Sequence, residues 1–190
     1  MAEHHHYIIF KPHGYLSQFI VNGKQKKRQK LLGELYDFAL GTMPIGRLDI
    51  DSEGLLLLTT DGKVSYAILS NKYEKEYYVQ VDGIIDQDAI DKMQKGVTIA
   101  IQGENYLTKE CEARLIETPV FPERAKKIRD ERHGPTSWAS IILREGKFRQ
   151  VRKMTAVVGF PTLRLVRVRI DTIHLGDMQP GDVIEVETLI

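Results

Sequence analysis

A chain of 190 residues, 42% hydrophobic and 28% charged, has the composition of a globular protein large enough to bury a sizeable core. A lone cysteine, Cys111, excludes an internal disulfide framework and fits a reducing cytoplasm. No run approaches the ~20 apolar residues that cross a bilayer, and the start MAEHHHYIIFKP lacks the basic and apolar regions of a signal peptide. The net charge of +1 hides a segregation: residues 122–169 hold thirteen Lys or Arg against four Asp or Glu, and residues 24–30 hold five cations and no acid. A chain so sorted is expected to carry a polyanion-binding surface on an otherwise acidic body.

In chain order, His4, His5 and His6 read as an unstructured end or a cloning remnant rather than a metal site. Tyr7–Phe10 reads as a short strand ended by Lys11-Pro12, where proline breaks pairing. Residues 22–29 read as a polar, basic loop. Leu31, Leu32, Leu35 and Phe38 have helical spacing closed by Gly41, which predicts a helix over 30–40. Leu55–Thr59 is an apolar run that predicts a buried strand, followed by an Asp61-Gly62 turn and a short helix through Leu69. Tyr77–Val81 alternates as a strand, and 86–94 reads as a helix ended by Gly96. Residues 97–116 suggest two or three strands in a meander, and 121–135 an irregular basic loop. Ser137–Leu143 reads as a strand in which Trp138 packs into the core. A helix over 148–158, a long strand over 163–173 and a closing strand over 182–187 complete an α+β pattern. The strands alternate too much for a purely parallel sheet.

The most informative stretch is GRLDIDSEGLLLLTTDG, residues 46–62. Arg47, Asp49, Asp51 and Glu53 crowd the entry to the leucine strand, where charges are costly to bury unless paired. Loops carrying ionisable groups on a rigid scaffold are where chemistry tends to sit. Asp51 and Glu53 read as organisers of that loop. The predicted helix at 148–158 places Lys147, Arg149, Arg152 and Lys153 at its first turn, where positive charge opposes the helix dipole and calls for an anionic partner. Arg149 and Arg152 share a face, and Arg152 lies nearer the apolar stripe of Val151, Met154 and Val158. There is no P-loop, no dinucleotide-binding glycine pattern and no cluster of metal ligands, so neither a cofactor nor a metal is expected.

Four blocks resemble the RsuA/RluE-like family of pseudouridine synthases, which modify ribosomal RNA. They are Phe10-Lys11-Pro12; Gly46-Arg47-Leu48-Asp49 with Ser52-Glu53-Gly54-Leu55-Leu56; Lys75-Glu76-Tyr77-Tyr78-Val79; and the run Glu145 to Met154 followed by Val158-Gly159-Phe160-Pro161. In family order and spanning nearly the whole chain, they are a specific signal where Arg-Leu-Asp alone is weak. The resemblance implies a pseudouridine synthase fold: a mixed, mostly antiparallel central sheet flanked by helices and loops, with the active site in a cleft. Many members of the family carry a small RNA-binding domain ahead of the catalytic one. Here the first strand is expected at about Tyr7, so residues 1–190 are expected to form one catalytic domain, as a single body or two lobes, without a separate N-terminal RNA-binding domain.

The resemblance also implies roles. Asp49 would be the catalytic nucleophile, with its point of attack, uracil C6 or the ribose anomeric carbon, left open. Arg47 would displace the target nucleotide and fill its place in the stack. Tyr77 would stack on the flipped uracil and assist the final loss of the C5 proton. Arg152 would form the ion pair that orients Asp49 and keeps it ionised. Each role has a physical reason, since a stacked base must be unstacked to be reached and an aromatic face returns part of that free energy. Lys75, on the same strand face as Tyr77, would touch phosphate, as would Lys11, Lys147 and Arg149. Lys24, Lys26, Lys27 and Arg28, together with Arg124, Lys126, Lys127 and Arg129, would clamp the RNA backbone. The expected partner is ribosomal RNA, free or in a pre-ribosomal particle. The sequence Pro135-Thr136-Ser137-Trp138 resembles the RluE-like subgroup, which points to 23S RNA of the large subunit. A cytoplasmic monomer is expected. The competing reading is a non-catalytic RNA-binding or ribosome-assembly protein that keeps the fold. The two part at Asp49, because a pure binder has no use for a carboxylate among phosphate-binding cations.

Overall fold

Leucines at 55–58 make the centre of β5 (Glu53–Thr59), a strand buried along its whole length. In the computed structural model, which describes residues 4–20, 29–70 and 73–190, this strand anchors one of two compact units. The first unit is Met1–Tyr73 with Arg167–Ile190, and the second is Glu74–Val166.

In the first unit β1 (His6–Lys11) runs antiparallel to β5, from His6 opposite Thr59 to Lys11 opposite Gly54. The short pieces β2 (Tyr15–Leu16) and β3 (Lys30–Leu31) pair in parallel, and β4 (Met43–Ile45) lies antiparallel on β5. Helix α1 (Gly62–Ser70) packs on β4 and β5. Tyr7, Ile9, Leu56 and Leu58 share one face of the β1–β5 pair and bury Leu32 against it. Burial of this kind contributes roughly 1.5–3 kcal/mol per large apolar side chain.

The helix expected over 30–40 is not there. The segment makes only a single 3₁₀ turn at Leu32–Glu34. Its apolar spacing serves an aromatic cluster instead: Phe38 meets Tyr7, Phe19 and Tyr36 edge-on, with ring centroids 5.1–5.3 Å apart. Contact between residues 36 and 38, two apart, is not a helical neighbour relation. The tertiary core has overridden the local period. The histidines are likewise not a loose end. His6 is buried as the first residue of β1, with Nδ1 2.8 Å from Thr59 Oγ1, and His5 meets Glu185 at 2.6 Å.

The second unit is built on β6 (Lys75–Asp82), which begins in the Lys-Glu-Tyr-Tyr-Val block. Helix α2 (Gln87–Lys95) follows, capped by the Asp86 carboxylate accepting from Ala89 N–H at 2.8 Å and ended by Gly96 at φ 95°. Asparagine, aspartate, serine or threonine before the first turn and glycine after the last are the signals that made this helix legible. β7 (Thr98–Ile101) and β8 (Glu104–Leu107) form a hairpin closed by Gln102-Gly103, both at positive φ, a two-residue turn of the twist-matched kind. β9 (Glu112–Ile116) does not continue a meander from that hairpin; it pairs antiparallel with β10 (Thr136–Leu143), which pairs antiparallel with β6. Helix α3 (Gln150–Val157) packs against β7. It starts two residues later than its sequence period suggested.

β11 (Thr162–Ile170) runs through the division between units, and its last four residues count with the first. There β12 (Ile173–His174) folds back on β11, and β13 (Val183–Val186) lies antiparallel along β1. The ladders described above are antiparallel apart from β2–β3, and with three short helices the α+β expectation holds. None of the described helices is long and apolar enough to cross a membrane.

Candidate active site

Asp49 sits in the irregular stretch between β4 and β5, half-buried, and its backbone is fixed from several sides. The buried Ser17 hydroxyl donates to Leu48 C=O at 2.8 Å and accepts from Leu48 N–H at 3.0 Å. Asp49 C=O accepts from Ser52 N–H at 3.0 Å, closing a tight turn, and Ile50 C=O accepts from Gly14 N–H at 2.7 Å. Leu48 is buried beneath the loop while Arg47 is exposed. The Gly-Arg-Leu-Asp block thus spends its leucine on the core and holds its aspartate on a rigid backbone, which a reacting group requires. Nothing in the sequence marked Ser17 as the clamp, because its partner is 31 residues away.

Lys11 differs from the expectation of a surface cation. It is fully buried, and its ammonium donates to Pro12 C=O at 3.0 Å and to Tyr15 C=O at 2.7 Å. It is therefore not positioned to meet phosphate. Burial lowers its pKa to about 7, against the attraction of Glu53, Asp51 and Asp49, which raises it. The charge next to the aspartate loop is therefore an internal one, opposite the acids the sequence put there. Glu53 is itself buried, as the first residue of β5.

The folded pKa of Lys11 lies below its unfolded value of 10.5, so between about pH 7 and 10.5 the unfolded chain binds more protons. Stability must rise with pH across that window, and the full penalty is present below pH 7. In Lys11→Met this contribution vanishes. The difference in Tm between wild type and variant should therefore change steadily from pH 7 to 10, to the relative advantage of wild type. A pH-independent difference would place the ammonium in a well-solvated environment. Comparing the two proteins is necessary because the half-buried Cys111 thiol, pushed up to about 11 by burial, contributes a slope of opposite sign.

Close to this loop Arg167 is buried, its Nε donating to Leu55 C=O at 2.7 Å, a residue the sequence reading passed over. Gly54, at φ 105°, lies so close to the same stretch of β11 that a Cβ there would come within 2.3 Å of Arg167 C=O.

In the second unit Tyr77 stands opposite Ile141 on β10 and is 9% exposed. Tyr78 points to the other face, where its ring lies 6.1 Å from that of Phe121, and Phe121 in turn packs on Trp138, buried as expected. The alternation that separates the two tyrosines was readable from sequence. Lys75 is half-buried at the start of the same strand. Arg152 is half-buried on the first turns of α3 and Arg149 occupies its N-cap position, while Lys147 is exposed. Glu145, buried Gln150 and Tyr106 form a network beside them that the sequence reading did not single out, although two of the three lie in the fourth block.

The basic loop is less free than its composition suggests. Arg129 is largely buried and donates to Asp82 at 2.6 Å and to Pro135 C=O at 3.2 Å. Arg124 Nε donates to Lys126 C=O at 2.7 Å, and Arg132 pairs with Asp130 at 2.6 Å. The buried Arg164 donates to Pro122 C=O and lies over the Phe121 ring. These guanidiniums tie the loop to itself and to the sheet, whereas Lys126 and Lys127 are exposed. Lys24, Lys26, Lys27 and Arg28 lie outside the described residues.

Comparison with known proteins gives this arrangement its context. Residues 5–157 match the family described as RNA pseudouridylate synthase. The ribosomal large subunit pseudouridine synthase E of Vibrio parahaemolyticus is 39% identical over 183 residues, 95% of this chain and 73% of that protein. The protein of the same name from Xanthomonas campestris pv. campestris is 38% identical over 179 residues, 92% of this chain and 91% of its own length. A solved structure described as a pseudouridylate synthase is alike in fold, with a TM-score of 0.75 at 22% identity over 98% of this chain and 71% of that one. On the family match and these identities, the chain belongs to the RNA pseudouridylate synthases and is an isomerase.

Proposed function

We propose that this enzyme converts one uridine of large-subunit ribosomal RNA to pseudouridine, with Asp49 as its nucleophile. The large-subunit assignment is supported by the names of the two relatives, each matched over more than 90% of this chain. The nucleophile assignment is supported chiefly by one observation: the Asp49 loop is held by the Ser17 clamp and the Ser52 turn. In the reaction the bond from uracil N1 to the ribose C1′ breaks and a bond from C5 to C1′ forms. The C5 proton leaves to solvent and N1 gains one, so neither an oxidant nor a group donor takes part. The target base leaves its stack to be reached, at a free-energy cost of a few kcal/mol. The exposed Arg47 fills the gap it leaves, Tyr77 offers its ring to the displaced uracil, and Arg152 supplies positive charge to the reacting carboxylate. Exposed Lys126 and Lys127 hold the phosphate backbone.

The substrate assignment is tested by incubating the enzyme with transcripts of large- and small-subunit ribosomal RNA and mapping carbodiimide-dependent primer-extension stops. A single new stop in the large-subunit transcript, or in the large-subunit particle, is expected. A stop confined to the small-subunit transcript would overturn it.

A further inference from the structure

The fourth sequence block folds into a turn that is held by side chains rather than by ordinary helix capping. Arg149, the N-cap of α3, adopts φ 53° and ψ 35°, the left-handed region, and its side chain makes no cap. N-cap residues normally take an extended conformation and accept a hydrogen bond with a side-chain oxygen. The other non-glycine residues at positive φ among those described are Gln102 and Asp171, and each lies in a short link between paired strands. Arg149 lies instead in a turn that leads into a helix, closed by Gln150 N–H donating to Lys147 C=O. A backbone held in this region needs surroundings that over-determine it.

Those surroundings start at Glu145. Its carboxylate accepts from the Tyr106 hydroxyl at 2.5 Å, from Lys109 N–H at 3.0 Å and from Gln150 Nε2 at 2.5 Å. The buried Gln150 side chain then accepts Lys147 N–H at 2.9 Å through its oxygen, while Gln150 N–H donates to Lys147 C=O at 3.1 Å. The turn 145–150 is thereby closed twice, by the backbone and by a side chain that Glu145 orients. The same hairpin restrains two cations of the block. Lys147 Nζ lies 4.7 Å from the centre of the Tyr106 ring, and Lys153 Nζ donates to Ala100 C=O at 2.6 Å. Lys147 and Lys153 thus tie the fourth block to β8 and β7, and Arg149, the N-cap, and Arg152, in the first turn of α3, lie between them in sequence.

We propose that Tyr106 is a positioning residue for the isomerisation: through Glu145 and Gln150 its hydroxyl fixes the turn that presents Arg149 and Arg152. This rests on the role given to Arg152 under the proposed function. The Tyr106 hydroxyl acts through Glu145, while its ring lies against Lys147 Nζ.

Acting through Glu145 has a titration signature. Burial raises the Glu145 pKa, but the bonds from Tyr106, Lys109 N–H and Gln150 outweigh it and hold the carboxyl below its ordinary range. Around it stand the Tyr106 phenol, itself pushed up by this bond, the Lys109 ammonium and the Cys111 thiol. Removing the Tyr106 hydroxyl must let Glu145 protonate at higher pH.

The test uses the full chain, with Tyr106→Phe, Glu145→Ala and the double variant. Each is assayed by tritium release from C5-labelled ribosomal RNA, by RNA affinity and by Tm. For Tyr106→Phe, which keeps the ring under Lys147, kcat should fall about tenfold while the RNA Kd stays within about twofold, as for one lost charge-assisted bond. The acid limb of its kcat profile should move to higher pH. The double variant should be no slower than Glu145→Ala alone, because the two changes break one chain of bonds. A Tyr106→Phe enzyme with wild-type kcat and pH profile, or losses that simply multiply in the double variant, would overturn the inference. A wild type that releases no tritium would instead count against the isomerase reading itself.

Discussion

Asp49→Asn is expected to abolish turnover, by on the order of 10⁴-fold or more, while RNA affinity and Tm stay close to wild type. Asparagine has the size and shape of aspartate but cannot act as the nucleophile. The geometry makes it a clean substitution. Bonds through Ser17 Oγ, the Asp49 and Ile50 carbonyls and the Leu48 backbone hold the loop, and the substitution changes none of these. Removing one carboxylate from the set facing Lys11 leaves Glu53 and Asp51, and Glu53 is the strongest of the three. Filter binding and a melting curve on the same preparation check both halves. Residual turnover within tenfold of wild type would take the nucleophile's role away from Asp49. A collapse of Tm would instead give the carboxylate a structural task.

Gly54→Ala is expected to be the most damaging single methyl group in the first unit. At φ 105° an L side chain is already strained, and here the new Cβ would lie 2.3 Å from Arg167 C=O and 2.8 Å from Arg167 N. Both obstacles are backbone, so neither can rotate away. Overpacking of about 1–3 kcal/mol adds to a conformational cost of about 1–2 kcal/mol, a large share of a typical 5–15 kcal/mol stability. For a chain of this size the melting temperature should drop by roughly 5–15 °C. Gly62→Ala is the natural control, since Gly62 opens α1 with nothing within 4 Å of its new Cβ. It should be neutral or slightly stabilising. Equal melting temperatures for the two variants would mean that β5 and β11 can part at Gly54 without penalty.

The elements that could be read from sequence were those whose signals are local. α2 carried its own cap and stop in Asp86 and Gly96, β5 its leucine run, and β6 the alternation that separates Tyr77 from Tyr78. The segment 30–40 was misread because its apolar spacing answers to Tyr7 and Phe19, residues distant in sequence. Lys11 was misread for a related reason. A lysine after a strand is normally exposed, and only the register that sets it opposite Gly54, beside Glu53, buries it. The surplus of cations over 122–169 was counted correctly, but charge counts carry no partner list. Arg129, Arg164 and Arg167 are spent inside the structure, on Asp82 and on backbone carbonyls. Ser17, Tyr106 and Gln150 act only through partners that folding brings to them.

Tritium release from large-subunit ribosomal RNA carrying [5-³H]uridine tests the central claim most directly, because loss of the C5 hydrogen is inherent in moving the glycosidic bond to C5. The wild-type chain is expected to release tritium up to about one equivalent per RNA without any added cofactor, and the Asp49→Asn variant none. Binding of the RNA without release, whether the RNA is free or in its ribosomal particle, would contradict the account and favour an RNA-binding or assembly role for this fold.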